Sequence, residues 1–144
     1  MAMQSEPLQL PIRGGCLCQN VRYKMDAPPL NSLYCQCRDC QIDSGTGHSC
    51  HVMVARKSLL ITGEAKLHYS VADSGNSVYR GFCPDCGSSL LYSSSQFLDA
   101  IFVTAGSLDN PAWFQPTMVV YTLSAQPWDL VDPTLRRFAL MTPL

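Results

Sequence analysis

Short runs of leucine, β-branched and aromatic residues recur along most of this 144-residue chain, and polar positions interrupt them at close intervals. Runs of this length and composition are typical of β-strands, and turn signals rich in Asp, Gly, Pro and Ser separate them. No segment has the period of about 3.6 residues that marks a long amphipathic helix. We predict strands at Val21–Met25, Leu30–Tyr34, His51–Ala55, Leu59–Thr62, Leu67–Val71, Val78–Phe82, Ser89–Tyr92, Ala100–Thr104 and Val119–Leu123. The pattern therefore predicts a mainly β, antiparallel, single-domain fold.

Local signals add one hairpin and two short helical segments to this prediction. Leu67–Val71 and Val78–Phe82 flank a Ser-Gly-Asn turn, which predicts that they pair as a hairpin. A short helix is predicted to begin at Asp132–Pro133, because Asp is a favourable N-cap and proline is tolerated at the first helical position. A further turn of helix is predicted at Asp39–Ser44.

Composition and charge narrow the class of protein. Hydrophobic residues make up 47% of the chain and charged residues 15%, as in ordered globular domains. The net charge of −1 gives no basis for nucleic-acid binding, which needs a basic face. No signal peptide or membrane-spanning run is recognisable. We expect a cytoplasmic protein with no membrane or nucleic-acid partner, made of an N-terminal tail (residues 1–11) and one domain (residues 12–144).

Cysteine is the residue type that carries most of the chemical information, with eight in the chain. In a reducing cytosol these cysteines are not expected to form structural disulfides. They stand in tight groups separated by long intervals, which lets short segments of distant strands close around a thiophilic metal. The groups are Cys16-x-Cys18, Cys35-x-Cys37-x-x-Cys40, Cys50 and Cys83-x-x-Cys86.

The pair Cys83-x-x-Cys86 has the spacing of a metal knuckle, in which two thiolates of one turn bind the same ion. Gly87 supplies the conformational freedom that such a turn often requires. The alternative is a thioredoxin-like redox pair, which needs a helix in a βαβ setting that is not predicted here. Together with Cys16 and Cys18, this pair would complete a closed site of four thiolates, which is typical of structural zinc. Two ordinary buried cysteines are the alternative for Cys16 and Cys18.

The run Cys35-x-Cys37-x-x-Cys40 places three thiolates within six residues. Three protein ligands with an exchangeable fourth position form the usual arrangement of a catalytic zinc ion. Cys50, His48 or His51 would serve as the fourth ligand. A second structural site or an iron–sulfur cluster remains an alternative for the same three cysteines.

These motifs occur in an order that resembles the glutathione-dependent formaldehyde-activating enzyme family, which also includes centromere protein V. The resemblance spans residues 12–128 and implies a β-tent-like zinc-binding fold. It also implies a structural zinc ion on Cys16, Cys18, Cys83 and Cys86, and a second, more labile zinc ion on Cys35, Cys37 and Cys40. The motifs that carry it are Gly14-Gly-Cys-x-Cys18 with Val21-Arg-Tyr23, Cys35-x-Cys-x-x-Cys40 with Ser44-Gly45, Phe82-Cys-x-x-Cys-Gly-Ser88, Gly106-Ser-Leu-Asp109 with Pro111, and Gln126-Pro-Trp128.

The resemblance implies a carbon–sulfur lyase that forms S-hydroxymethylglutathione from glutathione and formaldehyde, so the expected partners are a small thiol and a small aldehyde. Cys37 is the candidate catalytic residue on this reading. Four cations are candidates for the carboxylates of glutathione. They are Arg13, Arg38, Arg56 and Lys57.

Three positions depart from the family pattern. Gln36 and Met118 stand where members often have a polar, metal-competent side chain, and Cys50 is additional to the pattern. Two other functions therefore stay open beside the enzyme. One is a thiol carrier that binds glutathione without accelerating chemistry, and the other is a zinc-stapled interaction module.

Overall fold

The computed structural model describes residues 7–142, which form two β-sheets and one short α-helix. Short 3-10 turns link several of the strands. No helix within residues 7–142 is long and apolar enough to cross a membrane. The regular elements are β1 (Ile12–Gly15), β2 (Arg22–Met25), β3 (Asn31–Cys35), α1 (Arg38–Ser44), β4 (Ser49–Ala55), β5 (Leu59–Thr62), β6 (Lys66–Val71), β7 (Ser77–Phe82), β8 (Ser89–Ser94), β9 (Ala100–Thr104), β10 (Met118–Val120) and β11 (Arg136–Arg137).

The large sheet has the strand order β11-β10-β3-β4-β9-β8-β7-β6, and the small sheet has the order β1-β2-β5. Most neighbouring strands are antiparallel, as predicted, but β10 pairs in parallel with both β3 and β11. A parallel pair needs a long connection that returns the chain to the same end of the sheet. Residues 121–135 provide that connection between β10 and β11.

The predicted strands are confirmed, with differences at their ends. The predicted hairpin is formed by β6 and β7, with Tyr69 opposite Tyr79. The last predicted strand, Val119–Leu123, is shorter in the structure because Tyr121 has a φ of 57° and a 3-10 turn follows. Strand β1 was not predicted, since half of its residues are glycines, which have low strand propensity.

One predicted helix forms and the other does not. The helical turn expected at Asp39–Ser44 is α1, which ends at Gly45 in the left-handed conformation. The prediction of a helix that begins at Asp132 is wrong, because no helix forms there. The Asp132 carboxylate instead accepts hydrogen bonds from the backbone and hydroxyl groups of Thr134, at 2.9 and 2.7 Å. The chain then joins the edge of the large sheet as β11, so strand pairing replaces a helix too short to be stable alone.

The hydrophobic residues form two cores, and β4 contributes to both because its side chains alternate in direction. Val52 and Val54 belong to the first core, whereas Met53 belongs to the second. Cysteines are part of each core. Cys16 and Cys83 are buried in the first, and Cys35 and Cys40 are buried in the second. The two cysteine groups are therefore held in different cores of the same protein.

We predict that Gly63→Ala destabilises the fold more than Gly75→Ala does. Both glycines have positive φ, of 82° and 87°, so alanine costs about 1–2 kcal/mol at either position. A Cβ at Gly63 would also lie 2.1 Å from the backbone oxygen of Asn20, whereas a Cβ at Gly75 meets nothing within 4 Å. Chemical denaturation measures the difference. Equal losses of unfolding free energy would show that the approach of Gly63 to Asn20 is not a constraint.

Candidate metal centres and active site

The first cysteine cluster consists of four thiols whose sulfur atoms all lie within 4.8 Å of one another. The Sγ atoms of Cys16 and Cys18 are 3.6 Å apart, and those of Cys18 and Cys83 are 3.7 Å apart. Cys16 and Cys18 lie in the turn between β1 and β2, and Cys83 and Cys86 lie in the turn between β7 and β8. The cluster thus joins the small sheet to the large one.

Two tight turns aim these thiols at a common centre. After Cys16 the chain reverses at Gln19, which has a φ of 71° and donates its backbone N–H to the oxygen of Cys16 at 3.1 Å. This reversal brings Cys16 and Cys18 to the same side of the chain. In the other turn, Gly87 has a φ of 75° and donates its N–H to the oxygen of Cys83 at 2.8 Å. That bond closes the knuckle that the Cys-x-x-Cys spacing predicts.

Hydrogen-bond donors beside the first cluster favour ionised sulfur at Cys16 and Cys86, whereas burial and the neighbouring thiols raise the pKa of Cys18. The N–H of Val21 donates to the Sγ of Cys16 at 3.2 Å. The hydroxyl of Ser88 is 3.2 Å from the Sγ of Cys86, and hydrogen bonds from the Ser88 side chain and backbone lower the pKa of Cys86 to about 5. Thiolates are the form of cysteine that binds metal, and four convergent thiolates are a typical zinc donor set. The residues present therefore fit a zinc ion.

The second cluster consists of Cys35, Cys37 and Cys40, whose sulfur atoms also lie within 4.8 Å of one another. Cys35 ends β3, and Cys40 lies in the first turn of α1. Cys37 is the N-cap of α1, and its Sγ accepts the N–H of Cys40 at 3.3 Å. Cys35 and Cys40 are buried but Cys37 is only half-buried, so the cluster opens toward solvent at Cys37.

Hydrogen bonds also set the charge distribution within the second cluster. The thiols of Cys35 and Cys40, together with the backbone of Cys40, lower the pKa of Cys37. The same thiol contacts, with burial, raise the pKa of Cys35. Negative charge is therefore concentrated on Cys37, the member that solvent reaches. Three thiols with one open side fit a zinc ion that retains an exchangeable position.

Arg80 is a neighbour of the second cluster that the sequence did not indicate. Its side chain is half-buried, and the nearby Cys40 thiol raises the pKa of Arg80 against the opposing effect of burial. The guanidinium carbon lies 5.2 Å from the ring centre of Tyr92, in a cation–π contact. No ion pair between described residues involves Arg80. A guanidinium held next to thiols without a carboxylate partner is able to bind an anionic group of a ligand.

The three residues expected as a fourth ligand lie outside the convergent set of the second cluster. His51 approaches it, with its Nε2 at 3.9 Å from the Sγ of Cys40 and at 2.7 Å from the hydroxyl of Ser49. Burial lowers the pKa of His51 to about 4, so its imidazole is neutral at physiological pH. His48 and Cys50 lie on the other side of β4 and line a cavity.

In the part of the chain that the structure describes, none of the four cations predicted to bind glutathione has a side-chain interaction with the second cluster. Arg38 donates to the side-chain oxygen of Gln41. Arg56 donates to the backbone oxygens of Leu98 and Ala100, at 3.2 and 3.4 Å. Arg13 and Lys57 are exposed.

Two of the three departures from the family pattern, Gln36 and Met118, are buried. Gln36 donates to the carboxylate of Asp129 at 3.0 Å, and its own side-chain oxygen has no hydrogen-bond partner in the structure. Met118 lies in β10 and packs in the second core beside the cysteines. An apolar side chain at this position removes one polar group from the surroundings of the second cluster.

Comparisons with known proteins agree with this arrangement. The sequence profile of a family described as "Glutathione-dependent formaldehyde-activating enzyme" matches residues 11–124. A crystal structure of a Rhodobacter sphaeroides protein, solved by structural genomics, is similar in fold, with a TM-score of 0.57 and 14% sequence identity. The similarity covers 88% of this chain and 98% of that one. No curated protein matches at a significant level. The family profile spans most of the chain, and the chain therefore belongs to the glutathione-dependent formaldehyde-activating enzyme family.

Proposed function

We propose that this protein is a carbon–sulfur lyase that reversibly joins the thiol of glutathione to formaldehyde, forming S-hydroxymethylglutathione. Family membership supplies the substrate class. The observation that carries the proposal is the second cluster, which is open at Cys37 and lies beside the guanidinium of Arg80, a group that forms no ion pair with a described carboxylate. A thiol entering at Cys37 would have a cation within reach of its carboxylates.

Zinc is the metal that we propose for both clusters. Cys16, Cys18, Cys83 and Cys86 would hold a structural ion, and Cys35, Cys37 and Cys40 would hold a second, labile one. Zinc held by three protein ligands offers a position to an external thiol and lowers the pKa of that thiol. Cys37 is the candidate catalytic residue because it is the solvent-accessible member of the second set.

Arg80 would bind and orient the thiol substrate. The Tyr92 ring and Cys40 hold the guanidinium in one place, so little entropy is lost when it pairs with a carboxylate. Glutathione carries two carboxylates at neutral pH, and a planar guanidinium pairs with such a group through two parallel hydrogen bonds. Fixing one carboxylate at Arg80 would limit where the sulfur of the same molecule can lie.

Two tyrosines beside the second cluster would donate to the oxygen of the aldehyde. Tyr92 and Tyr121 both pack against the second core. Burial raises the pKa of each phenol, so both keep their protons at neutral pH. When the thiolate sulfur bonds to the carbonyl carbon, the π bond opens and its electron pair becomes an alkoxide. A phenol proton, replaced from water, would convert this alkoxide into the hydroxyl of the product.

Exchange NMR on glutathione mixed with isotopically labelled formaldehyde tests the proposed reaction. We expect zinc-loaded protein to accelerate exchange between free thiol and adduct, and Cys37→Ser to lose that acceleration while keeping its fold. Broadening of the glutathione signals without faster exchange would contradict the enzyme and indicate a thiol carrier. Wild-type activity in Cys37→Ser would remove the second cluster from the mechanism.

The two clusters should respond differently to loss of one ligand. We predict that Cys86→Ser lowers Tm by about 10 °C or more, because several kcal/mol of metal binding are coupled to folding at the first cluster. Cys37→Ser should lower Tm by only a few degrees. Thermal unfolding and zinc analysis of both variants make the comparison. A larger loss of Tm in Cys37→Ser would reverse the proposed structural and labile roles.

Arg80→Gln tests the proposed binding of carboxylate, with Arg137→Gln as the matched control on the exposed strand β11. We predict that Arg80→Gln raises KM for glutathione about 10- to 100-fold, because a hydrogen-bonded charge pair contributes about that factor to binding. KM for 2-mercaptoethanol, which has no carboxylate, should be unchanged. Arg137→Gln should match wild type with both thiols. Equal losses with both thiols, or loss of zinc, would show that Arg80 supports the cluster and does not bind the substrate.

A further inference from the structure

A cavity of about 670 Å³ lies beside the first cluster, on the side of β4 that carries His48 and Cys50. This volume is within the range of small-molecule sites. Cys16 and Gly87 of the first cluster form part of its wall, whereas Cys35, Cys37 and Cys40 do not line it. The cavity is therefore separate from the candidate active site.

His48 is held inside this cavity by a buried carboxylate. Its Nδ1 lies 2.9 Å from both carboxylate oxygens of Asp129, whose side chain is 7% exposed. Gln36 donates to the same carboxylate at 3.0 Å, and the ring of Tyr34 packs 4.3 Å from the imidazole. Because the carboxylate accepts a hydrogen bond from Nδ1–H, it is the Nε2 atom that can accept a proton from another group.

His48 directly precedes β4, Cys50 is the second residue of that strand, and both line the cavity. They are two residues apart, so their Cα atoms are about 6.6 Å apart along the strand direction. Both side chains line the cavity, and the thiol is half-buried. Burial, followed by the charge of Asp129, raises the pKa of Cys50. The resting group is therefore a thiol, which needs a base to become a nucleophile.

The lining of the cavity selects against anionic ligands. No Lys or Arg lines it, and its two acidic residues are Asp43 and Asp109. Most of the remaining polar groups are hydroxyls, which hydrogen-bond neutral polar molecules. The lining residues that carry them are Ser44, Thr46, Ser88, Ser89, Thr104 and Ser107, whereas the hydroxyl of the lining residue Ser49 contacts His51. The hydroxyls of Ser89, Thr104 and Ser107 donate to protein oxygens and keep acceptor capacity for a ligand. Glutathione, with two carboxylates, does not match this wall, whereas a small neutral electrophile does.

We infer that Cys50, with His48 as its base and Asp129 as the residue that orients His48, forms a second covalent site for a small neutral aldehyde. The Sγ of Cys50 bonds to the carbonyl carbon while its proton passes to Nε2 of His48. The carbonyl π bond opens, and the oxygen takes the proton back from Nε2 to become a hydroxyl. The product is a hemithioacetal. No group leaves, no oxidant or reductant is needed, and the reverse step releases the aldehyde.

The first test measures how fast iodoacetamide, a neutral reagent, alkylates Cys50 in the zinc-loaded full chain at neutral pH. Peptide mass spectrometry identifies the labelled residue. We expect His48→Gln to slow alkylation of Cys50 at least about tenfold, at the low end of what a general base contributes. His68→Gln is the matched control, because His68 is exposed on the β6–β7 hairpin and should leave the rate unchanged. An unchanged rate in His48→Gln would overturn the inference.

Asp129→Asn provides a second variant in case His48→Gln unfolds. It removes the charge that orients the imidazole while keeping the size of the side chain. We expect slower alkylation of Cys50 with an intact fold by circular dichroism. A folded Asp129→Asn protein that reacts at the wild-type rate would contradict the role of the carboxylate.

The second test asks whether the site takes an aldehyde. Isotopically labelled acetaldehyde should give a protein-bound hemithioacetal carbon signal that is absent in Cys50→Ala, and it should protect Cys50 from iodoacetamide. Ethanol, which has the same size but no carbonyl group, should not protect. A signal that persists in Cys50→Ala, protection by ethanol, or protection by glutathione alone would overturn the inference. None of these measurements requires glutathione turnover, so they stand or fall independently of the proposed lyase activity.

Discussion

The convergence of four thiols at the first cluster is the interaction on which the rest of the structure depends. Cys16 and Cys18 come from the small sheet, and Cys83 and Cys86 come from the large one. A sheet of three short strands is marginal without a partner, and here its partner is reached through sulfur atoms less than 4.8 Å away. Thiolates packed this closely repel one another, and a thiophilic cation converts that repulsion into attraction. With the proposed zinc bound, the donor set would add a fixed joint to the hydrophobic core that the two sheets already share.

Strands β3 and β4 then separate two kinds of chemistry by the alternation of their side chains. Tyr34 pairs with Cys50, which lines the cavity, whereas the neighbouring pair places Cys35 in the second cluster and the Ser49 hydroxyl against His51. The same two strands thus contribute to the second cluster on one side and to the cavity on the other. A slip of one residue between them would exchange the two sets of side chains. The same pairing register of β3 and β4 is therefore required at both sites.

Local signals in the sequence predicted more than long-range ones. The spacing of the cysteines indicated both clusters because each group is only a few residues long, and alternation of apolar positions located the main strands. Arg80 was missed because it reaches Cys40 only after β7 has joined the large sheet, and no spacing along the chain encodes that contact. The pairing of His48 with Asp129 was missed for the same reason, since these residues are far apart in sequence. Asp132 carries a valid N-cap signal, but the residues that follow it pair with the edge strand of the large sheet and do not form a helix.

Cys37 has two partners in this fold, its cluster and the Cys40 amide in the first turn of α1 that it caps. A cap made of sulfur satisfies the helix whether or not an ion is present, so the geometry of the second cluster is built before any metal arrives. Loading this cluster is then a binding equilibrium of the native chain and not a step of its folding. Under the proposed lyase function with zinc as the second ion, activity would follow zinc supply, because the amount of folded protein and the amount of active protein would be set separately.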